Sequence, residues 1–110
     1  MEVKTGVDIV HIPTFARSLT EGGEPFLDRV YTPKERARAT SAERCAGLFA
    51  VKEAVVKALG LPKEGWQAIE VSHQEDGKPV VTINNTHYLS GDISIAHHGE
   101  YAVATATFLL

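Results

Sequence analysis

Apolar and polar positions alternate from the start of the chain. Val3, Thr5, Val7 and Ile9 are interleaved with Lys4, Gly6 and Asp8. That period of two predicts a first β-strand with Asp8 on the face opposite Val7 and Ile9. Pro13 suits the first turn of a short helix over about 13–19, stopped by Gly22-Gly23. Thr32-Pro33-Lys34-Glu35 has the form of a capping box with proline at the first helical position, and it starts a second short helix. Thr40-Ser41-Ala42-Glu43 is another such box; it opens a long helix that Gly60 ends. Residues 66–73 and 78–83 read as strands joined through the turn Glu75-Asp76-Gly77, and 93–97 and 101–108 as a last hairpin around His98-Gly99-Glu100. The order β-α-α-α-β-β-β-β predicts an α+β domain, with a largely antiparallel sheet packed on one long helix plus short helices. No linker-like shift, repeat or low-complexity tract divides the chain, so one domain over 1–110 is expected.

The long helix has an unusual pattern. Cys45, Leu48, Phe49, Val55, Val56 and Leu59 fall within one arc at 100° per residue, and Lys52 lies within that arc. The opposite side carries Ala46, Gly47, Ala50, Ala54 and Ala58 in place of a polar face. A helix apolar on one side and small on the other is expected to be packed on both. In a chain this short, that suggests a neighbouring subunit. Charges on such a helix need partners, because burying an unpaired ion costs several kcal/mol. Glu53 and Lys57 stand at i,i+4 spacing in the favourable order, so a helix salt bridge with Lys52 snorkelling is one reading of these residues.

Composition narrows the function classes. At 110 residues with 44% hydrophobic and 23% charged positions, the chain reads as one ordinary globular domain. A formal net charge of −3 gives no electrostatic case for nucleic acid or anionic membrane. One cysteine forms no internal disulfide, and no run of about 18 apolar residues or signal-peptide pattern is present, so a cytoplasmic location is expected. Without cysteine pairs or histidines at i,i+4 on a helix, a zinc site is not expected.

The segment Phe49-Ala50-Val51-Lys52-Glu53-Ala54-Val55-Val56-Lys57-Ala58-Leu59-Gly60 meets the pattern F-A-x-K-E-A-x-x-K-A-x-G at every fixed position. Gly6-Val7-Asp8-Ile9-Val10-His11-Ile12 meets G-x-D-x-x-x-I, and Phe26 to Glu35 meets F-x-x-R-[VI]-[FY]-T-x-x-E. Asp76-Gly77-Lys78-Pro79 carries a G-K-P hairpin. Ile93-Ser94-Ile95-Ala96-His97, followed by Tyr101-Ala102-Val103-Ala104, approaches a strand ending in Ser/Thr-His with a tyrosine-bearing return. In this order over nearly the whole chain, the five motifs resemble the small holo-acyl-carrier-protein synthase branch of the phosphopantetheinyl transferases.

That resemblance implies transfer of the phosphopantetheine arm of coenzyme A to a serine of an apo acyl carrier protein, by a homotrimer with sites at subunit boundaries. It implies that Asp8 and Glu53 share Mg²⁺, with Mn²⁺ as a substitute. Two carboxylates completed by substrate phosphate and water are a usual magnesium set, although a strand-end aspartate bonded to nearby backbone explains Asp8 as well. It places Lys57 near the coenzyme A phosphates, His97 near the nucleotide end, and the first helix, here with Arg17, against the carrier. Lys52, on the same helix as Lys57, is a second candidate for those phosphates. The Gly77-Lys78-Pro79 segment reads first as a turn, with a backbone and lysine approach to the adenosine diphosphate portion of coenzyme A as its further candidate role. Three positions depart from the family pattern. The first helix is sparsely basic, with Glu21 and Glu24 near Arg17; Leu48 replaces a frequent arginine; and Ala96 replaces the hydroxyl residue before His97. Two other readings stay open: a non-catalytic carrier-binding paralogue, and an unrelated trimeric interaction domain.

Overall fold

In the computed structural model, residues 1–87 and 91–110 are described, without the side chain of His87. The chain runs β1 (Val3–His11), α1 (Ile12–Val30), α2 (Pro33–Arg38), α3 (Ala42–Leu59), a 3-10 turn (Trp66–Ala68), β2 (Ile69–His73), β3 (Pro79–Ile83), β4 (Thr86–His87), β5 (Gly91–His98) and β6 (Tyr101–Leu109). The expected single sheet is two. One has the antiparallel order β1-β6-β5, the other β2-β3-β4. β4 follows a two-residue turn at Asn84 and Asn85, whose φ values of 50° and 65° suit the twist of a tight hairpin. Among the described residues, no helix is long and apolar enough to cross a membrane.

α3 is the axis of the molecule, and its small face is the reason. A Cβ on Gly6 would lie 2.0 Å from the carbonyl oxygen of Ala54, so only glycine lets β1 press this closely on the helix. Ala50, Ala54 and Ala58 of α3 and Ala102, Ala104 and Ala106 of β6 are all buried. Small residues on both elements let their backbones approach. The larger side chains Val51 and Val55 join Phe15, Val30, Ile69, Val71, Val81 and Ile83 in the same core. Eleven of the eighteen α3 residues are therefore buried by their own chain. The inference that a neighbour must cover this helix is corrected: the chain buries most of it by itself.

Local signals set most of the helix ends. Thr32 and Glu35 form the reciprocal capping box, with Pro33 in the first turn, and Gly60 ends α3 in the left-handed region at φ 64°. The α3 cap is Ser41, which accepts from Arg44 N, so the box expected from Thr40 and Glu43 does not form. α1 continues well beyond residue 19. Gly23 breaks it at φ 56°, and a second helical run reaches Val30 with Pro25 near its start. α1 and α3 are thus both long, and the expectation of one long helix is corrected.

β1 shows which face of a strand is buried. Asp8 does lie opposite Val7 and Ile9, but the inward row holds Gly6, Asp8 and Val10. The apolar row is outside: Val3, Val7 and Ile9 are 64%, 55% and 62% exposed. Register places Val3 beside Leu109, Ile9 beside Val103 and His11 beside Tyr101, and Leu109 and Tyr101 are also exposed.

Candidate active site

The close approach of β1 to α3 brings the G-x-D aspartate to the K-E-A helix. Lys57 Nζ donates to Asp8 Oδ1 at 3.1 Å and to the Val7 carbonyl at 3.0 Å. Asp8 and Glu53 line one cavity of about 300 Å³, together with Ile9, Val10, His11, Thr14, Phe15, Ser18 and Phe49. The i,i+4 salt bridge between Glu53 and Lys57 gives way to the longer-range pairing of Lys57 with Asp8. Glu53 accepts from Trp66 Nε1 at 3.3 Å, and the Trp66 ring leans on Phe49 with centroids 5.9 Å apart. Trp66 is the chain's only tryptophan. The sequence motifs gave no hint that it would meet Glu53.

Lys52 has a different role from the one expected. Its side chain is fully buried, and its ammonium pairs with Glu35 Oε1 at 2.5 Å. It also donates to the carbonyls of Val30 at 2.6 Å and Trp66 at 2.9 Å, so its three protons are engaged. Glu35 is fully buried as well, and its carboxylate accepts from Thr32 N at 2.9 Å and Val71 N at 2.6 Å. Burial pulls the Lys52 ammonium below the ordinary lysine value, and Glu35 pulls the other way. The expectation of Lys52 against coenzyme A is corrected: the residue ties α1, α2, β2 and the Trp66 turn together and offers no donor to a ligand.

His97 lines a separate cavity of about 360 Å³, shared with Ala37, Arg38, Arg44, Gly47, Leu48, His73 and Ile95. Gly47 makes room for the imidazole; a Cβ there would stand 3.2 Å from His97 Nε2. This lining carries two arginines and two histidines and no carboxylate. His73 Nδ1 is buried without a hydrogen-bond partner among the described residues. Burial and then Arg38 hold this histidine below its ordinary value. Arg38, Arg44 and His73 were not singled out from sequence, because they come from three separate elements with no shared spacing.

Gly77, Lys78 and Pro79 line neither cavity. Gly77 sits in the turn at φ 89°, Lys78 pairs with Asp92 Oδ1 at 2.7 Å, and Pro79 opens β3. Arg17 is exposed on α1 beside a shallow groove with Ala16, Thr20 and Glu21. Glu24 is bound by Arg36 at 2.7 Å, and the same guanidinium holds Asp28 at 2.6 Å. Glu24 therefore belongs to the α1–α2 junction, where its charge is already paired.

With this geometry established, the chain compares closely with known proteins. Residues 4–106 match the 4'-phosphopantetheinyl transferase superfamily. The chain belongs to that superfamily. Holo-[acyl-carrier-protein] synthase of Koribacter versatilis is 36% identical over 120 aligned positions, covering 96% of both chains. The synthase of Chlorobaculum parvum is 40% identical over 112, covering 94% of this chain and 96% of its own. Among solved structures, the Helicobacter pylori synthase in complex with coenzyme A superposes with a TM-score of 0.83 at 27% identity, covering 93% and 96% of the two chains. The Bacillus anthracis synthase in complex with CoA (3',5'-ADP) gives 0.80 at 32%, covering 96% and 94%. The transferase family thus accounts for an α+β chain of antiparallel strands and helices over nearly its full length.

Proposed function

We propose that this chain transfers the 4'-phosphopantetheine arm of coenzyme A to a serine of an apo acyl carrier protein. The observation that carries the reading is the meeting of Asp8 with Lys57 at 3.1 Å beside Glu53, in a member of the transferase superfamily. Mass spectrometry of an apo carrier incubated with coenzyme A and Mg²⁺ tests it.

The donor set fits a divalent cation. Asp8 and Glu53 supply hard oxygen ligands on one cavity, and no cluster of three or more His, Cys, Asp or Glu occurs among the described residues. Mg²⁺ takes such sparse protein sets because substrate phosphates and water fill its shell, and Mn²⁺ suits the same ligands. When bound, the ion supplies charge against the pyrophosphate. The chain's own part is positional. Lys57, 55% exposed, is available to a phosphate once it leaves Asp8, and its ammonium would counter the negative charge that builds on the departing phosphate. Coenzyme A's phosphorylated nucleotide end matches the basic cavity of Arg38, Arg44, His73 and His97. Its Arg44, one turn before Leu48, supplies a guanidinium on the helix side that Leu48 leaves without charge. Arg17 is the basic contact proposed for an acidic carrier on α1. A cytoplasmic setting belongs to the same reading.

The homotrimer rests on different ground from the one expected. An exposed apolar sheet face of Val3, Val7, Ile9, Tyr101 and Leu109 is the surface proposed to meet other copies. The protein is expected to sediment as a trimer at micromolar concentration, and Val7→Lys with Ile9→Lys should shift it to monomer. A wild-type monomer with full transfer activity would contradict this assembly.

A further inference from the structure

The cavity of Asp8 and Glu53 holds a third titratable side chain that the reaction described above does not use. His11 ends β1 and lines the cavity with Thr14 and Ser18. Its Nε2 lies 2.9 Å from Glu100 Oε2, and its Nδ1 lies 2.6 Å from Thr14 Oγ1. The ring leans on Tyr101 at 5.2 Å between centroids. Ile12 N donates to the Glu100 carbonyl at 2.7 Å, so backbone ties the β5–β6 turn to the start of α1. Carboxylate, imidazole and hydroxyl stand in series. An ionised carboxylate only accepts, so in the neutral imidazole Nε2 carries the hydrogen toward Glu100 and Nδ1 is the acceptor facing the Thr14 hydroxyl. This is the arrangement by which a carboxylate fixes a tautomer and readies the other nitrogen as a base.

We propose that His11 is the general base of the transfer reaction, with Thr14 Oγ as the proton relay and Glu100 as the positioning residue. The proposal rests on the transferase reading. Serine Oγ forms a bond to the β-phosphorus of coenzyme A. The bond from that phosphorus to the bridging oxygen breaks, and adenosine 3',5'-bisphosphate leaves with its electron pair. The serine proton passes to Thr14 Oγ as the Thr14 proton passes to His11 Nδ1. Glu100 then faces an imidazolium, which returns its proton to solvent. Asp8 Oδ1 is occupied by Lys57, and Glu53 Oε1 by Trp66, and both carboxylates are assigned to the cation. An imidazole is also matched to proton transfer at neutral pH better than a carboxylate. The charged and titratable groups around the ring are Glu100 and Tyr101 of the hairpin, His98 in register with Tyr101, Arg17 of α1 at 3.4 Å from Thr14 Oγ1, Asp8 of β1 and Glu53 of α3.

The test is the single-turnover transfer rate against pH, at saturating Mg²⁺, coenzyme A and apo carrier. The wild-type rate should show an acid limb, falling as the base is protonated. His11→Gln should lower the neutral-pH rate by about 10²-fold or more, remove that acid limb and leave coenzyme A affinity unchanged. Added imidazole should restore part of the rate. Glu100→Gln should move the limb to lower pH, because an imidazolium without its carboxylate is less favoured. A folded His11→Gln protein with the wild-type rate and limb would overturn the proposal. If that variant misfolds, an unmoved limb in Glu100→Gln overturns it. Wild-type protein that modifies no apo carrier would instead defeat the transferase reading.

Discussion

Asp8→Ala and Glu53→Ala are each expected to lower Mg²⁺-dependent transfer by about 10²–10³-fold or more, the scale set by removing one preorganised electrostatic group. Each removes an oxygen donor and a negative charge from a cavity that offers only these two carboxylates. The fold should survive. Asp8 pairs with a Lys57 side chain that is 55% exposed, and such pairs contribute about 0–1 kcal/mol. Trp66 supplies a readout independent of activity. Its indole donates to Glu53, so its emission should change on Mg²⁺ titration in the wild type and stay flat in Glu53→Ala. Wild-type transfer by either variant at limiting Mg²⁺ would sink the assignment of both carboxylates to the cation.

Lys52→Met carries the second large effect, and it acts on stability. It leaves the fully buried Glu35 carboxylate without its counter-ion, an event that costs about 3–5 kcal/mol. Domains of this size have only about 5–15 kcal/mol in total, so a Tm fall of roughly 10–20 °C is expected. Adding Glu35→Gln to Lys52→Met should recover more than half of the loss, because the amide keeps an acceptor for buried backbone N–H groups without a charge. Thermal unfolding of the two variants decides the matter. Unchanged stability with a raised KM for coenzyme A would restore Lys52 to the phosphate role that its motif suggested.

Those two lysines show how far sequence reaches. The pattern around Lys52 and Lys57 identified the helix and the family, and the local rules of capping placed Thr32, Glu35 and Gly60 correctly. Glu35 was legible as half of a capping box, yet its larger role is to neutralise Lys52, 17 positions away. No spacing rule connects residues at that separation. The alternation of β1 was equally clear, and it located Asp8 relative to Val7 and Ile9. Which row faces the core depended on Gly6 meeting Ala54, a contact between distant elements. The row most hydrophobic by composition was left outside. The second half of α1 escaped notice because Gly22, Gly23 and Pro25 are breakers in isolation, whereas here they kink the helix and restart it. His11 stands at a variable position of G-x-D-x-x-x-I and Trp66 lies outside every motif, and only the fold gave them their partners Glu100 and Glu53.

The central claim is transfer to a carrier serine, and intact-mass spectrometry of a panel of apo acyl carrier proteins measures it most directly. With coenzyme A, Mg²⁺ and wild-type protein, at least one carrier should gain the mass of a single 4'-phosphopantetheine on its serine, with an equal amount of adenosine 3',5'-bisphosphate released. No mass gain on any carrier, under conditions where a holo-[acyl-carrier-protein] synthase such as that of Bacillus anthracis modifies the same panel, would contradict the account.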